Sequence, residues 1–253
     1  MRSLAEAQAS ANEAAQLLAM RLAGGERPSA HAGYYPNRPF REQVLNEIKN
    51  LSGGVIAVVT RNSYGCQVLN TARVMFVDID FSETEQAGFF GRLFGKKSAS
   101  AGESAALAKI QEWSRGHPDW SWLAYRTCAG LRLLATHALL DADSPATDSV
   151  FDALGADPLY QRLCQSQKCF RARLTPKPWR CGVPGTPDRW PFSDARTEQR
   201  AQKWVKHYDA FAFNWATCRL IEQIGPPVVH PEVQPILSLH DSATRVDSQL
   251  RLA

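Results

Sequence analysis

Asp78 and Asp80 stand two residues apart at the end of the apolar run RVMFVDIDFSE, Arg73 to Glu83. In a strand, successive side chains alternate between faces. Val74, Phe76, Asp78 and Asp80 then share one face, and Met75, Val77, Ile79 and Phe81 share the other. Two carboxylates on one face repel unless water, an arginine or a divalent metal lies between them. A Mg2+ or Mn2+ ion held by such a pair can clamp the attacking and leaving oxygens of a phosphoryl transfer. Asp78 and Asp80 are therefore the candidate catalytic and metal-binding residues. The competing structural account pairs them with Arg126 and Arg171 in a salt-bridge network. Buried ion pairs stabilise poorly, so such a network would need another reason to exist.

Cations suited to phosphate recur along the chain. Arg126 and Arg132 lie in YRTCAGLRLLATH, and Arg171 and Arg173 share one face of KCFRARLT. Guanidinium groups grip phosphate oxygens bidentately, which makes these four candidate nucleotide contacts. Between Gln161 and Lys203 there are ten Lys or Arg against three Asp or Glu, a local excess that suits a polyanion. Lys96, Lys97, Lys168, Lys177 and Arg180 are the candidate contacts to a nucleic-acid backbone. Without a polyanion the same excess is a solvated basic face.

Several elements must position these groups. Residues 3–23 read as a helix stopped by Gly24-Gly25, and FREQVLNEIKNL (Phe40 to Leu51) has a helical period. VIAVVTRN reads as a strand that neighbours the aspartate strand, with SYGCQVLNTA as the excursion between them. Residues 82–102 form a long loop, and Glu103–Gly116 a helix. Leu123–Thr127 and Leu131–His137 form a hairpin that turns at Cys128-Ala129-Gly130. Helices are expected near Thr147–Leu154 and Asp157–Cys164, then the strand KCFRARLT. A single long helix is expected from about Asp194 to Ile224, with Trp204, Tyr208, Phe211, Trp215 and Leu220 as its core stripe. The tail beyond Pro226-Pro227 shows little pattern.

Strands in pairs separated by helices predict an α+β fold with a mainly antiparallel, palm-like (RRM-like) sheet and flanking helices. The expected organisation is a helical extension over 1–52, a core over 53–180, and a loop, long helix and tail over 181–253 packed on that core. Asp78 and Asp80 are expected on a central strand at a cleft, with the hairpin beside them and Arg171 and Arg173 on the same sheet.

The chain has 253 residues, 44% hydrophobic and 21% charged, with a formal net charge of +4, which is ordinary for a soluble domain. No apolar run approaches the ~18 residues of a membrane span, so no membrane partner is expected. The N-terminus carries Glu6 and Glu13 and lacks a continuous apolar stretch, which predicts a cytoplasmic protein without a signal peptide. The six cysteines lack CxxC spacing and read as reduced thiols. Cys164, Cys169 and Cys181, with His207 as a distant fourth, are the alternative zinc set.

The aspartate run, taken with YRTCAGLRLLATH, resembles the first two motifs of archaeo-eukaryotic primases and primase-polymerases. Other Asp-x-Asp families fit less well. Haloacid-dehalogenase phosphatases continue with a Gly-Thr or Gly-Val turn, where Phe81-Ser82-Glu83 stands here. Glycosyltransferases use alternating parallel units, and the Gly-Gly-acidic signature of diguanylate cyclases is missing. The primase resemblance spans about residues 54–175. It implies a metal-dependent nucleotidyl transferase acting on nucleoside triphosphate and nucleic acid; a separate reading makes the chain a structural partner of another protein in a complex. It also implies a phosphate contact from the second motif. Ala135-Thr136-His137 matches small-x-His literally, whereas Gly130-Leu131-Arg132 matches the preceding turn with Arg132 in the histidine's place. Only one of Arg132 and His137 can face the aspartates on a regular strand. The family's third acid has no counterpart, because CFRARLT carries arginines. The alternative is therefore a non-catalytic nucleotide- or nucleic-acid-binding protein that retains a degenerate palm.

Overall fold

A computed structural model describes residues 41–81 and 97–253, together with Gln16 and Met20. The chain divides into two compact units, Met1–Pro39 and Phe40–Ala253, and the second alone is described below. The expected helix over 3–23 and most of the loop over 82–102 lie outside the described residues.

Among the described residues of this unit, two antiparallel four-stranded sheets and five helices make an α+β fold. The first sheet runs β1 (Gln43–Lys49), β2 (Val55–Arg61), β3 (Gln67–Thr71) and β7 (Phe170–Arg173). The second runs β4 (Phe76–Asp80), β6 (Gly130–Ala135), β5 (Trp122–Thr127) and β8 (Cys218–Ile224). The helices are α1 (Lys97–Arg115), α2 (Pro145–Leu154), α3 (Pro158–Gln167), α4 (Ala195–Ala212) and α5 (Gln234–Thr244). The main core packs Met75, Phe76, Trp122, Tyr125, Leu131, Leu133, Phe151 and Phe170, all sealed from solvent.

The expected hairpin forms and β6 pairs directly with the aspartate strand. Other expectations are corrected. Phe40–Leu51 contributes a strand, not a helix: β1 pairs with β2 through a turn in which Gly54 N–H donates to Asn50 Oδ1 at 2.8 Å. Val44 and Leu45, which suggested a helical stripe, are exposed, so strand pairing and not an apolar face decides the conformation. The supposed excursion contains β3, which separates β2 and β4 into different sheets. β7 joins β3, so Arg171 and Arg173 are not on the aspartate sheet. Helix α4 ends at Ala212, and CRLIEQI pairs with β5 as a strand. The last helix, α5, buries Ile236, His240 and Thr244 at a spacing of four.

Among the described residues β4 ends its sheet, so Asp78 and Asp80 are not on a central strand. Its outer edge is covered by α3. Asp157, the N-cap of α3, donates its N–H to Asp78 O at 2.9 Å, and the Tyr160 hydroxyl donates to Phe76 O at 2.9 Å. The same hydroxyl receives Arg171 N–H at 3.4 Å, so one phenol joins the facing edges of the two sheets. Covering an edge this way satisfies backbone groups that would otherwise template aggregation.

Candidate functional site

Asp78, Arg132 and Tyr125 stand opposite one another on β4, β6 and β5, in one row across the second sheet. Arg132 is 1% exposed and donates Nε to Asp78 Oδ1 at 2.8 Å and Nη2 to Asp78 Oδ2 at 3.1 Å. Its Nη1 reaches across to the Arg173 carbonyl at 2.9 Å, which ties the two sheets together. Burial alone would favour loss of the Arg132 proton, but the Asp78 carboxylate outweighs it and raises the pKa above the ordinary arginine value. Arg132, not His137, is therefore the residue that faces the aspartates. The partner predicted by the salt-bridge account was also wrong, because neither Arg126 nor Arg171 holds Asp78.

Asp80 sits one turn of the pleat further along and is exposed. Although the residue reaches solvent, the groups packed around its carboxyl partly desolvate it and push its pKa up, reinforced by the nearby Asp78 and Asp157 and opposed by Lys177 and Arg173. Asp80 is thus the acid that interacts with Arg173 of β7 and with Lys177 in the Pro-rich loop over 176–192. Lys177 has its pKa lowered by burial and by crowding from Arg173 and Arg180, with Asp80 pulling the other way. Arg173 Nε is buried with no hydrogen-bond partner among the described residues. Trp179, on the 3-10 turn Pro178–Arg180, is 52% exposed beside this cluster. Lys177 Nζ lies 5.6 Å from its ring centroid, and Tyr64 meets the ring edge-on at 5.0 Å.

The structure thus brings together Asp78, Asp80, Arg132, Arg173, Lys177 and Arg180, and adds Asp157 and Trp179. Asp157-Pro158 is a helix-start signature that the sequence displays, although nothing in it places this acid against Asp80. Other candidates go elsewhere. Arg126 pairs with Glu103 at 3.0 Å, donates to the Gly130 carbonyl at 2.7 Å and lies over Phe81. Arg171 is bound bidentately by Glu42, and Lys168 pairs with Asp143 at 2.9 Å. His137 packs on Trp120, accepts Ser121 N–H at 3.4 Å, and has its pKa lowered by burial. Lys97 opens α1, and Lys96 lies outside the described residues.

Behind Arg132 a buried polar chain continues. Cys218 Sγ lies 3.7 Å from Arg132 Nη1 and 4.0 Å from His240 Nε2. His240 Nδ1 meets Asp241 Oδ1 at 2.9 Å, and Tyr125 donates its hydroxyl to that same oxygen. The order Cys-His-Asp imitates a nucleophilic triad. Burial raises the Cys218 thiol to about 11 and lowers His240, which disfavours a thiolate–imidazolium pair, and both side chains are sealed from substrate. This chain anchors α5 to the sheet.

Metal fit can be tested on the donors themselves. Asp78 engages Arg132 through both oxygens, so in this arrangement the Asp78–Asp80 pair does not fit a bridging Mg2+ or Mn2+ ion. No group of three His, Cys, Asp or Glu side chains among the described residues is arranged to hold a metal. The proposed zinc cysteines are free thiols, with Cys164 raised by burial to about 12 and Cys181 packed instead against Trp204 and Tyr208.

No protein-family model, no curated protein and no solved structure matches this chain. No described helix is long and apolar enough to cross a membrane.

Proposed function

We propose that the protein binds nucleotide or nucleic-acid phosphate through Arg173 at the end of β7 and Lys177 and Arg180 in the loop that follows, as a binding module with a palm-like fold and not a transferase. One observation carries this reading: burial, together with the nearby Arg173 and Arg180 cations, disfavours the Lys177 charge, and Asp80 is the carboxylate that partly offsets them. A phosphate would relieve that repulsion and supply acceptors for the Lys177 ammonium and the Arg180 guanidinium. The exposed Trp179 face offers a base-stacking surface beside it. Asp78, already neutralised by Arg132, shapes the floor.

Fluorescence anisotropy with short single- and double-stranded oligonucleotides, competed by nucleoside triphosphate, tests the proposal. Affinity should fall steeply with salt, with a log–log slope of roughly −0.7 per single-strand phosphate contact. Lys177→Glu/Arg180→Glu should weaken binding at least about tenfold, given roughly 1.5–3 kcal/mol for a hydrogen bond to a charged group. No salt-sensitive binding at low ionic strength would reject the module.

A second reading, the primase-like nucleotidyl transferase acting with Mg2+ or Mn2+, draws on the exposure of Asp80 next to Asp78 and Asp157. It requires Arg132 to release Asp78 when substrate arrives. Mn2+-dependent nucleotide incorporation that is lost in Asp80→Asn would favour it over the binding module.

The same acid has a stability signature. Its pKa is raised in the folded state, so the contribution of protonated Asp80 is complete below the ordinary carboxylate value. That contribution is lost as pH rises through the raised value. Asp80→Asn should therefore raise the thermal midpoint at neutral pH, with the gain vanishing in acid. A lower neutral-pH midpoint would show that Asp80 is held by its cations more than it is repelled by Asp78 and Asp157.

A further inference from the structure

A cavity of about 330 Å3 opens between β1–β2, the Pro-rich loop over 176–192 and helix α4. Its size falls at the lower end of the roughly 300–1,000 Å3 usual for small-molecule sites. Arg61, Arg189 and Lys206 supply three cations, Gln43 and Gln202 supply amides, and Trp190 supplies an aromatic wall. Asp188 is the acid on the lining, and Arg200 neutralises it through a two-pronged pair, Nε to Oδ2 at 2.8 Å and Nη2 to Oδ1. Asp209, on α4, acts on Arg61 from outside the lining. No ion pair within the described residues engages Arg189 or Lys206. The cavity is therefore cationic on balance.

Its walls are held in place. Gly65 has φ +88°, and a Cβ there would come within 2.3 Å of the Trp204 ring, so only glycine lets the β2–β3 turn sit on α4. Trp204 Nε1 donates to Pro184 O at 2.9 Å, and the Thr186 hydroxyl donates to Asp188 O at 2.7 Å, which fixes the loop that carries Arg189 and Trp190. Arg61 donates Nη1 to Gly65 O at 2.7 Å, which aims the guanidinium and leaves its other N–H groups for a ligand. Trp190 is 43% exposed, although a second small core of Cys181, Val183, Trp204 and Tyr208 lies under the same loop. Core packing does not account for an indole left at the rim of a cationic cavity.

We infer that this cavity binds one nucleoside monophosphate unit, with the base on Trp190 and the phosphate between Arg189, Lys206 and Arg61. An aromatic face, several unpaired cations and amides able to read a base edge are the groups that such a ligand needs. The unit can be a free mononucleotide or the 5′-phosphorylated end of a strand. The site is separate from the Lys177 cluster and does not depend on the function proposed for it.

Calorimetric titration of the full chain at low salt tests this with AMP, 5′-phosphorylated pentaadenylate, adenosine and inorganic phosphate. Each is titrated into wild type and into the Lys177→Glu/Arg180→Glu background, where the first cluster cannot contribute. AMP or the oligonucleotide should bind saturably in both, and adenosine and phosphate should bind about tenfold or more weakly. Trp190→Ala should reduce affinity by about tenfold, the scale of one lost base stack. Arg189→Glu/Lys206→Glu should reduce it at least as much. These side chains are exposed, and an unchanged melting curve verifies that each variant is folded. Equal affinity for AMP and oligonucleotide assigns a free nucleotide, and an oligonucleotide bound about tenfold tighter assigns a strand end. Absence of AMP and oligonucleotide binding overturns the inference, and so does binding in the background protein that survives both variants.

Discussion

Arg132→Met is expected to lower the unfolding free energy by about 3 kcal/mol, the lower end of the roughly 3–5 kcal/mol lost when a buried ion pair loses one partner. Methionine fills most of the space, so a cavity is not the main cause. The loss comes from the groups left behind: the Asp78 carboxylate and the Arg173 carbonyl both lose a guanidinium donor. Asp78 is 28% exposed and can recover some hydration, which is why the lower figure applies. Arg132→Lys keeps the charge but cannot span both carboxylate oxygens and the carbonyl together, and should fall between wild type and methionine. The double variant Asp78→Leu/Arg132→Met removes both charges and should be more stable than Arg132→Met alone. Urea unfolding with unchanged m-values measures all three. A loss below about 0.5 kcal/mol for Arg132→Met would mean that the pair offsets its own desolvation and contributes nothing net.

That expectation rests on a contact the sequence only half displays. Strand alternation correctly puts Asp78 and Asp80 on one face, and chain order correctly puts the hairpin beside them. Both are local properties, set by a two-residue period and a short turn. Which arginine meets Asp78 depends on register. Asp78 falls opposite Arg132, two residues along β6 from the turn glycine, and a shift of one residue would have turned Arg132 to the other face. The sheet membership of Arg173 was not legible, because β3 lies hidden in a stretch that reads as a connection. Its QVLNT has only two apolar residues, and its pairing is decided by β2 and β7 on either side. The cluster around Lys177 was visible as charge along the chain but not as a site. Nothing local tells that the turn at Pro178–Arg180 brings Lys177 within electrostatic reach of Asp80, or that Lys168 and Arg171 from the same basic segment find carboxylates of their own.

The same geometry explains how the two aspartates acquire different roles from one sequence pattern. Asp78 points along the row of Arg132 and Tyr125 and is absorbed into the structure, where it holds a buried guanidinium and, through it, the neighbouring sheet. Asp80 comes opposite Gly130, which has no side chain to pair with it, so its carboxyl is left facing the loop cations. An arginine-bound acid and an unpaired one, two residues apart, divide the site into a structural half and a ligand-facing half.

Gly130 is therefore the residue on which this division depends, and Gly130→Ala should have the second large effect. A Cβ at this position would lie 1.9 Å from the Ile79 carbonyl oxygen and 2.9 Å from Asp80 Cα. Both are backbone atoms of the paired strand, so no side-chain rotation relieves the contact. Strand β4 must move away by more than 1 Å, by the shortfall from the roughly 3 Å of ordinary close contacts. That motion strains the pairing of Ile79 and Asp80 with β6 and the bond from Phe81 N–H to Ala129 O. Forcing an added carbon into packed structure costs typically 1–3 kcal/mol, and about 3 kcal/mol is expected here because backbone has to yield. Asp80 would also swing away from Lys177 and Arg173, so its raised pKa should relax toward the ordinary value in the fraction that stays folded. The pH dependence of stability attributed to Asp80 should shrink in this variant without any change to an ionisable residue. Gly185→Ala, whose Cβ would meet nothing within 4 Å, serves as the control and should leave both quantities unchanged. Paired urea titrations at pH 4 and pH 7 measure the two effects at once. Wild-type stability in Gly130→Ala would show that β4 is free to slide at Asp80, and the separation of the two aspartates would then not be built into the strand pairing.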